Sequence, residues 1–310
     1  MIIVLSETFY WVLNISIIGG ASGLIIMALR KIPKIPRFAV YLLWALPLIR
    51  LWIPFSLTSR WSLLSLISQY TTKTLVIGRS SPGIPEFSMT NSIQAAESYF
   101  PITYKTDLLG DIFEVAAVIW AIIAAAAILS SIFLYVLTKR EMRDAKHLRG
   151  NIWTSDIITS PAVYGIIKPK IIIPGWVAEK DMPYILAHEL VHIRRRDNLW
   201  RVVAVITACV HWFNPLSWIF LRRFFADMEL ACDIKALKTL GEDKAKDYAA
   251  ALLTCATGKS YFASAFGGAK TQVRIENILS YKKLTLLSTL SFGALVAAIT
   301  FVLITNAVGG

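Results

Sequence analysis

The sequence predicts a multi-pass α-helical membrane protein that carries one mainly α (α+β) domain on the cytoplasmic side. Three observations lead there. Hydrophobic residues make up 56% of the 310-residue chain and charged residues only 17%, which is too apolar for a water-soluble domain of this size. Four apolar runs approach a bilayer thickness if helical. The net charge of +12 gathers at the ends of those runs. Arg30, Lys31, Lys34 and Arg37 lie between the first two, Lys139 to Arg149 follow the third, and Lys282 and Lys283 precede the fourth. Basic clusters placed this way mark the cytoplasmic side. They account for the charge without a nucleic-acid partner, and none is expected.

The elements follow in order. Met1 to Phe9 lacks the basic start of a cleaved signal peptide, so the first run, 10–29, is expected to stay as an anchor. Gly19, Gly20 and Gly23 within it permit close helix packing. The second run, 38–55, contains Pro47 and Arg50, and Arg50 is expected to snorkel outward. Residues 56–107 are polar and mixed in charge and read as an extracytoplasmic loop. The third span is 112–137, which completes a three-span unit over 1–137. The domain occupies 138–283, and 284–310 holds the fourth span.

Within the domain, short apolar runs and turns from Ile157 to Pro174 predict a β-hairpin or small sheet. A helix is expected from Asp181, a fair N-cap, to Asp197, with Pro183 in its first turn. Leu199 to Leu221 is apolar enough to span a membrane, but Pro215 breaks it. The expectation is a helical hairpin packed on the domain and dipping into the membrane surface. A long helix from Leu216 to Leu240 stops before Gly241, and another runs from Asp243 to Thr257. Residues 258–272, rich in Gly, Ser and Ala, are expected to be mobile. Cys209, Cys232 and Cys255 are odd in number and form no CxxC pair, so they read as reduced thiols.

The chemistry sits in Ala187-His188-Glu189-Leu190-Val191-His192-Ile193-Arg194. His188 and His192 are four residues apart and share one helix face. Two imidazoles at that spacing can grip one zinc ion, with Glu189 taking a proton from its bound water. The plainer alternative is two histidines that decorate a helix. The chain has only four histidines, and two of them form this pattern in an apolar setting. The domain therefore reads as a zincin-type metalloprotease, with Zn2+ as cofactor.

A catalytic zinc needs a third protein ligand. His211, Asp227, Glu229, Cys232 and Asp233 are the downstream candidates. Glu229 and Asp233 lie four apart on one helix face, with apolar neighbours. One can bind metal while the other holds a ligand histidine through its second nitrogen. Glu229 is favoured as the ligand and Asp233 as the acid behind a histidine. Cys232 is expected to point away from the Glu229 face, and His211 to be a hydrogen-bonded structural residue. Asp197 reads as a helix-end acid rather than as a histidine partner.

His188-Glu189-x-x-His192 followed by Glu229-x-x-x-Asp233 resembles the glutamate-zinc metallopeptidases (gluzincins). Three ordered motifs narrow this: Ile185 to Ile193 with Arg195 and Asp197, His211-Trp212-Phe213-Asn214-Pro215, and Met228 to Asp233. Together they look like the BlaR/MecR-type antirepressor membrane metallopeptidases, peptidase family 56. Ser160-Pro161 and Gly165 through Pro174 are similar to the segment ahead of that family's catalytic helix. The resemblance implies four membrane helices in a bacterial cell membrane and a cytoplasmic zinc domain. It also implies a protein substrate, a winged-helix transcriptional repressor, cleaved in a β-lactam response and coupled to self-cleavage. In the best-known members a penicillin-binding sensor follows the fourth helix. Here no Ser-x-x-Lys acylation motif follows it, and the expectation is either a sensorless relative or a truncated chain.

Self-cleavage, where it occurs, is expected between Gly258 and Lys283. Substrate alignment by strand addition is expected along Ile171 to Ile173. Arg222, Asn214 and His211 are candidates to stabilise an oxyanion. Pairing with a second copy of the chain is compatible with all of this. Two alternatives stand beside it. One is a membrane quality-control zinc protease, which would share the zinc motifs but not Trp212-Phe213-Asn214-Pro215. The other is a non-enzymatic signalling scaffold, which would have no need of Glu189.

Overall fold

The computed structural model describes residues 2–32, 35–53, 59, 61–62, 107–140, 143–255, 268–281 and 286–305. The expected extracytoplasmic loop therefore lies almost wholly outside the described residues. So do residues 258–267, the first part of the expected self-cleavage region, and residues 282–283 at its end.

Helix α1 (Ile2–Arg30) is one long apolar helix. Its polar side chains turn back on its own carbonyls, Asn14 on Tyr10 and Ser22 on Gly19, as polar groups in hydrocarbon must. At Gly23 a Cβ would collide with the ring of Phe220, so the missing side chain is what lets the two helices meet. The second apolar run is not one helix. It forms α2 (Arg37–Leu43) and α3 (Ala45–Arg50), which meet at Trp44. Pro47 is the cause: it donates no hydrogen bond to Leu43, and its ring crowds that carbonyl. Arg50 does not snorkel outward. It is buried, and its guanidinium donates to Leu303 O and Thr305 O, both at 2.8 Å. Those carbonyls end the last helix, where acceptors are unpaired and the helix dipole is negative. Helix α4 (Asp107–Arg140) packs on α1 through Phe9, Phe113 and Trp120.

Four short strands follow: β1 (Lys146–Arg149), β2 (Ile152–Ser155), β3 (Ala162–Tyr164) and β4 (Lys170–Pro174). Their order is β1-β2-β4-β3, with β2 and β4 parallel and the other pairs antiparallel. Gly150, at φ +56°, makes the tight turn from β1 to β2, a conformation that costs other residues more. Ile171 and Ile173 of β4 pack on Ile185 of the next helix. Because β4 is bonded on both edges, it cannot accept an added strand, and the expected alignment of substrate along Ile171 to Ile173 is ruled out. The open edges belong to β1 and β3.

The motif helix, α5 (Met182–Arg195), starts at Asp181, but the Asp181 side chain makes no capping bond. It sits instead 3.5 Å from Thr254 Oγ1. Helices α6 (Asp197–Val210) and α7 (Pro215–Leu240) form the expected hairpin. Asn214 caps α7 by accepting from Leu216 N at 2.9 Å, and Pro215 takes the first helical position, where no N–H is needed.

The tip of this hairpin does not stop at a surface. Asn214 Nδ2 donates to Ser16 Oγ, Trp120 Nε1 donates to Val210 O, and Phe213 meets the ring of Phe9. About 20 Å of helix separates Asn214 from Asp227, whose carboxylate accepts from Arg30 Nε at 2.9 Å. The hairpin thus lies along α1 from Ser16 to Arg30 and meets α4 at Trp120 and Ser131. His211, at its turn, donates from Nε2 to Leu51 O at 3.0 Å, a structural role.

Asp227 also accepts from Trp44 Nε1 at 2.9 Å, so it clamps the basic end of α1 to α7. Asp227→Ala strands a guanidinium and an indole N–H. We expect it to lower the unfolding free energy by about 3 kcal/mol, read as a fall in Tm in detergent. An unchanged Tm would show the clamp to be dispensable.

Beyond α7 come a 3-10 turn (Glu242–Lys244), α8 (Ala245–Thr254), α9 (Thr271–Leu279) and α10 (Leu286–Ile304). Among the described residues, three helices are long and apolar enough to cross a membrane: Val4–Arg30, Ile112–Arg140 and Leu287–Ile304. The run 38–55 is not one of them.

Candidate metal centre

Helix α5 presents His188 and His192 one turn apart toward α7, and Val191 anchors it there against Cys232, Ala236 and Leu237. The two histidine Nε2 atoms face each other at 3.1 Å. The Glu229 carboxylate of α7 closes the triangle, 3.4 Å from His188 Nε2 and 3.7 Å from His192 Nε2. Donors on a tetrahedral ion with bonds of about 2.0–2.2 Å stand about 3.3–3.6 Å apart. The three separations lie within about 0.2 Å of that range, so the residues fit a single ion.

The far nitrogen of each ring is held by an acid. His188 Nδ1 lies 3.1 Å from Asp233 Oδ1 and 2.9 Å from the Tyr248 hydroxyl, which itself donates to Asp233 Oδ1 at 2.8 Å. His192 Nδ1 donates to Asp197 Oδ2 at 2.6 Å. A proton kept on Nδ1 leaves the Nε2 lone pair free for a metal, the arrangement seen in most histidine metal sites.

All four residues expected at the centre besides Glu189 come together here: His188, His192, Glu229 and Asp233. Glu189 is buried next to His188 on the same helix. Two expectations fail. Cys232 does not point away: His188, His192 and Cys232 bring a ligand atom each within 4.8 Å of one another. Positions 229 and 232 are only about 60° apart around a helix, so both face α5. The Cys232 thiol also donates to the His188 carbonyl at 3.4 Å, so both a carboxylate and a thiol stand beside the histidine pair. Asp197 is also more than a helix-end acid. Arg196 adopts a left-handed conformation (φ 54°, ψ 40°), which turns the chain so that Asp197, fully buried, reaches back to His192. Tyr41 donates to its other oxygen at 3.1 Å.

Arg222, Asn214 and His211 lie away from the centre, on the exposed face of α7 or at the hairpin tip. The polar residues that do reach it were not foreseen. Arg201 Nη2 donates to Glu229 Oε1 at 2.6 Å, and Arg274 forks onto Asp233 at 2.7 and 2.9 Å. No motif announced either arginine. Their roles depend on α6 and α9 docking on α7.

Burial alone would lower both imidazole pKa values. The groups around them outweigh it, Cys232, Tyr248 and Asp233 at His188, and Cys232, Glu229 and Asp197 at His192, and hold both well above the ordinary value. Burial would raise Glu229, but His192, His188 and Arg274 hold it well below the carboxylate range. Metal uptake must displace protons from the imidazoles. Affinity should therefore fall as pH drops, from a higher pH than for an ordinary histidine pair. Metal titrations across pH would read this, and a flat profile between about pH 5 and 8 would contradict it.

The comparisons with known proteins agree with this geometry. The family model described as BlaR1 peptidase M56 matches residues 10–278. The chain is 36% identical over 110 residues to the regulatory protein BlaR1 of Bacillus licheniformis, covering 34% of this chain and 18% of that protein. It is 33% identical over 119 residues to the methicillin resistance mecR1 protein of Staphylococcus aureus, covering 37% and 20%. The similarity thus spans about a fifth of the length of each of these relatives. With the family match running over most of its length and enclosing the whole histidine–carboxylate cluster, the chain belongs to the BlaR1 peptidase M56 family.

Proposed function

We propose that the chain is a membrane-held zinc metallopeptidase of a signalling system, acting on the cytoplasmic side. The carrying observation is the triangle of His188 Nε2, His192 Nε2 and the Glu229 carboxylate, with Asp233 and Asp197 behind the rings. Zinc bound there would supply a water acidic enough to attack a peptide carbonyl. Glu189 accepts that water's proton and returns it to the leaving amine. The Cys255 thiol does not compete as a nucleophile: burial, with help from Asp181 and Glu189, pushes it up to about 11. Tyr248 and Asp233 fix the tautomer of His188, and Asp197 fixes that of His192.

The relatives' names support a regulatory role in the β-lactam response, so the favoured substrate is a transcriptional repressor, with the chain itself as a second substrate. The basic ends of α1 and α4, at Arg30 and at Lys139 and Arg140, favour the cytoplasmic side for the peptidase. On that reading the α6–α7 hairpin is re-entrant. It needs no exposed backbone in lipid, because each arm is helical and the turn is bonded to α1 and α4.

The direct test is co-expression of the chain with a candidate winged-helix repressor in a host that lacks both. Wild type should clip the repressor and a chelator should stop the clipping. An intact repressor, together with protein purified free of zinc, would defeat the reading. Asp197→Ala should reduce zinc affinity about 10- to 100-fold, measured by competition with a chromophoric chelator.

A further inference from the structure

We propose that Arg274 is a positioning residue of the metal centre, held in place by the docking of helix α9 on α7 and α8. The inference rests on the peptidase reading above. Arg274 is not a ligand: its Nη2 lies 3.4 Å from His188 Nδ1 and 3.2 Å from Nε2. Near-equal distances to both nitrogens place the guanidinium beside the ring face, off the Nε2 lone-pair axis, so it leaves the metal's direction open. Its fork holds both oxygens of Asp233, and Nη1 stands 3.7 Å from Glu229 Oε2. One side chain therefore orients the Glu229 carboxylate, the acid behind His188 and the His188 ring at once. A planar fork suits this and a lysine does not.

The helix that carries it is anchored through one face. Ile278 is buried against α7 and α8, and Asn277 Nδ2 donates to Leu230 O at 3.1 Å. Val273, Glu276 and Asn277 border a cavity of about 990 Å3 that α7 also lines, through Leu230, Ile234 and Lys238. The contacts made by Arg274 depend on α9 staying docked on α7 and α8. Loss of that docking removes Arg274 and leaves Asp233 buried without its cation, which is costly. Arg274 thereby ties the orientation of His188 and Asp233 to the docking of α9.

The test uses the full chain in nanodiscs with three variants. Arg274→Lys keeps the charge but loses the fork. Ile278→Ala keeps the arginine but loosens the helix. Val273→Ala, on the cavity side, is the control. The zinc dissociation constant should rise about 10- to 100-fold in the first two and stay at the wild-type value in the third. The kcat should fall in the first two with KM little changed, since neither residue is placed to bind substrate. Folded Arg274→Lys and Ile278→Ala proteins with wild-type zinc affinity and kcat would overturn the proposal. Wild-type protein that binds no zinc would overturn the peptidase reading itself, a distinct outcome.

Discussion

Glu189→Gln is expected to abolish peptide hydrolysis while leaving the metal in place. The substitution keeps the shape of a buried side chain on α5 and removes only its capacity to take a proton. The ligand triangle is formed by His188, His192 and Glu229, and Glu189 is not part of it. Zinc content should therefore remain at wild-type level. Loss of a general base typically costs about 10²- to 10⁴-fold, so turnover of repressor or of a reporter peptide should fall by at least the lower figure. Burial of Glu189 gives the variant an amide in a confined site, so a modest fall in Tm is compatible with the role. Residual cleavage near wild-type rate would show that another group moves the proton. A chain still clipped in Glu189→Gln would also show that any self-cleavage is the work of another protease.

The second large effect separates Glu229 from Cys232. Both lie beside the histidine pair, one as a carboxylate 3.4 and 3.7 Å from the two Nε2 atoms, the other as a thiol bonded to a backbone carbonyl. Glu229→Ala removes a third of the ligand set. It should bring zinc in the purified protein to a small fraction of wild type and remove activity with it. It also frees Arg201 and Arg274 of a shared anion, so a drop in stability should accompany it. Cys232→Ser should keep both zinc and activity, since a hydroxyl can still donate to the His188 carbonyl. The opposite result, zinc lost with Cys232→Ser and retained with Glu229→Ala, would reassign the third ligand to sulfur. Metal analysis of the two proteins side by side decides between them.

Much of the centre was legible because its parts follow from short spacings. Four residues place His188 over His192, and four place Glu229 over Asp233, whatever surrounds them. The same arithmetic brings Cys232 to that face: a spacing of three leaves only about 60° around the helix, against about 40° for a spacing of four. Asp197 was underrated because its reach to His192 depends on a single left-handed residue, Arg196, and arginine carries no sign of that conformation. Arg201 and Arg274 were invisible because the distance between them and Glu229 along the chain has no period that would pair them.

The membrane helices divide the same way. Length and hydropathy mark α1, α4 and α10 without further help. The second apolar run, continuous in hydropathy, divides into α2 and α3. Whether a proline kinks a helix or breaks it depends on the neighbours, and here Trp44 turns its indole to Asp227 at that point. The α6–α7 hairpin was recognised as a hairpin from Pro215, yet its position along α1 and α4 comes from Ser16, Phe9 and Trp120 meeting its tip.

The sequence alone thus determined which helix faces carry His188, His192, Glu229 and Asp233, and which stretches form long apolar helices. These are set by local periodicity, which a helix imposes without reference to the rest of the chain. Tertiary structure decided which acid stands behind each histidine, which arginines press on the carboxylates and where Arg50 ends. Those contacts join residues far apart in the chain, and only the packing of α6, α7 and α9 on α5 brings them within hydrogen-bond distance.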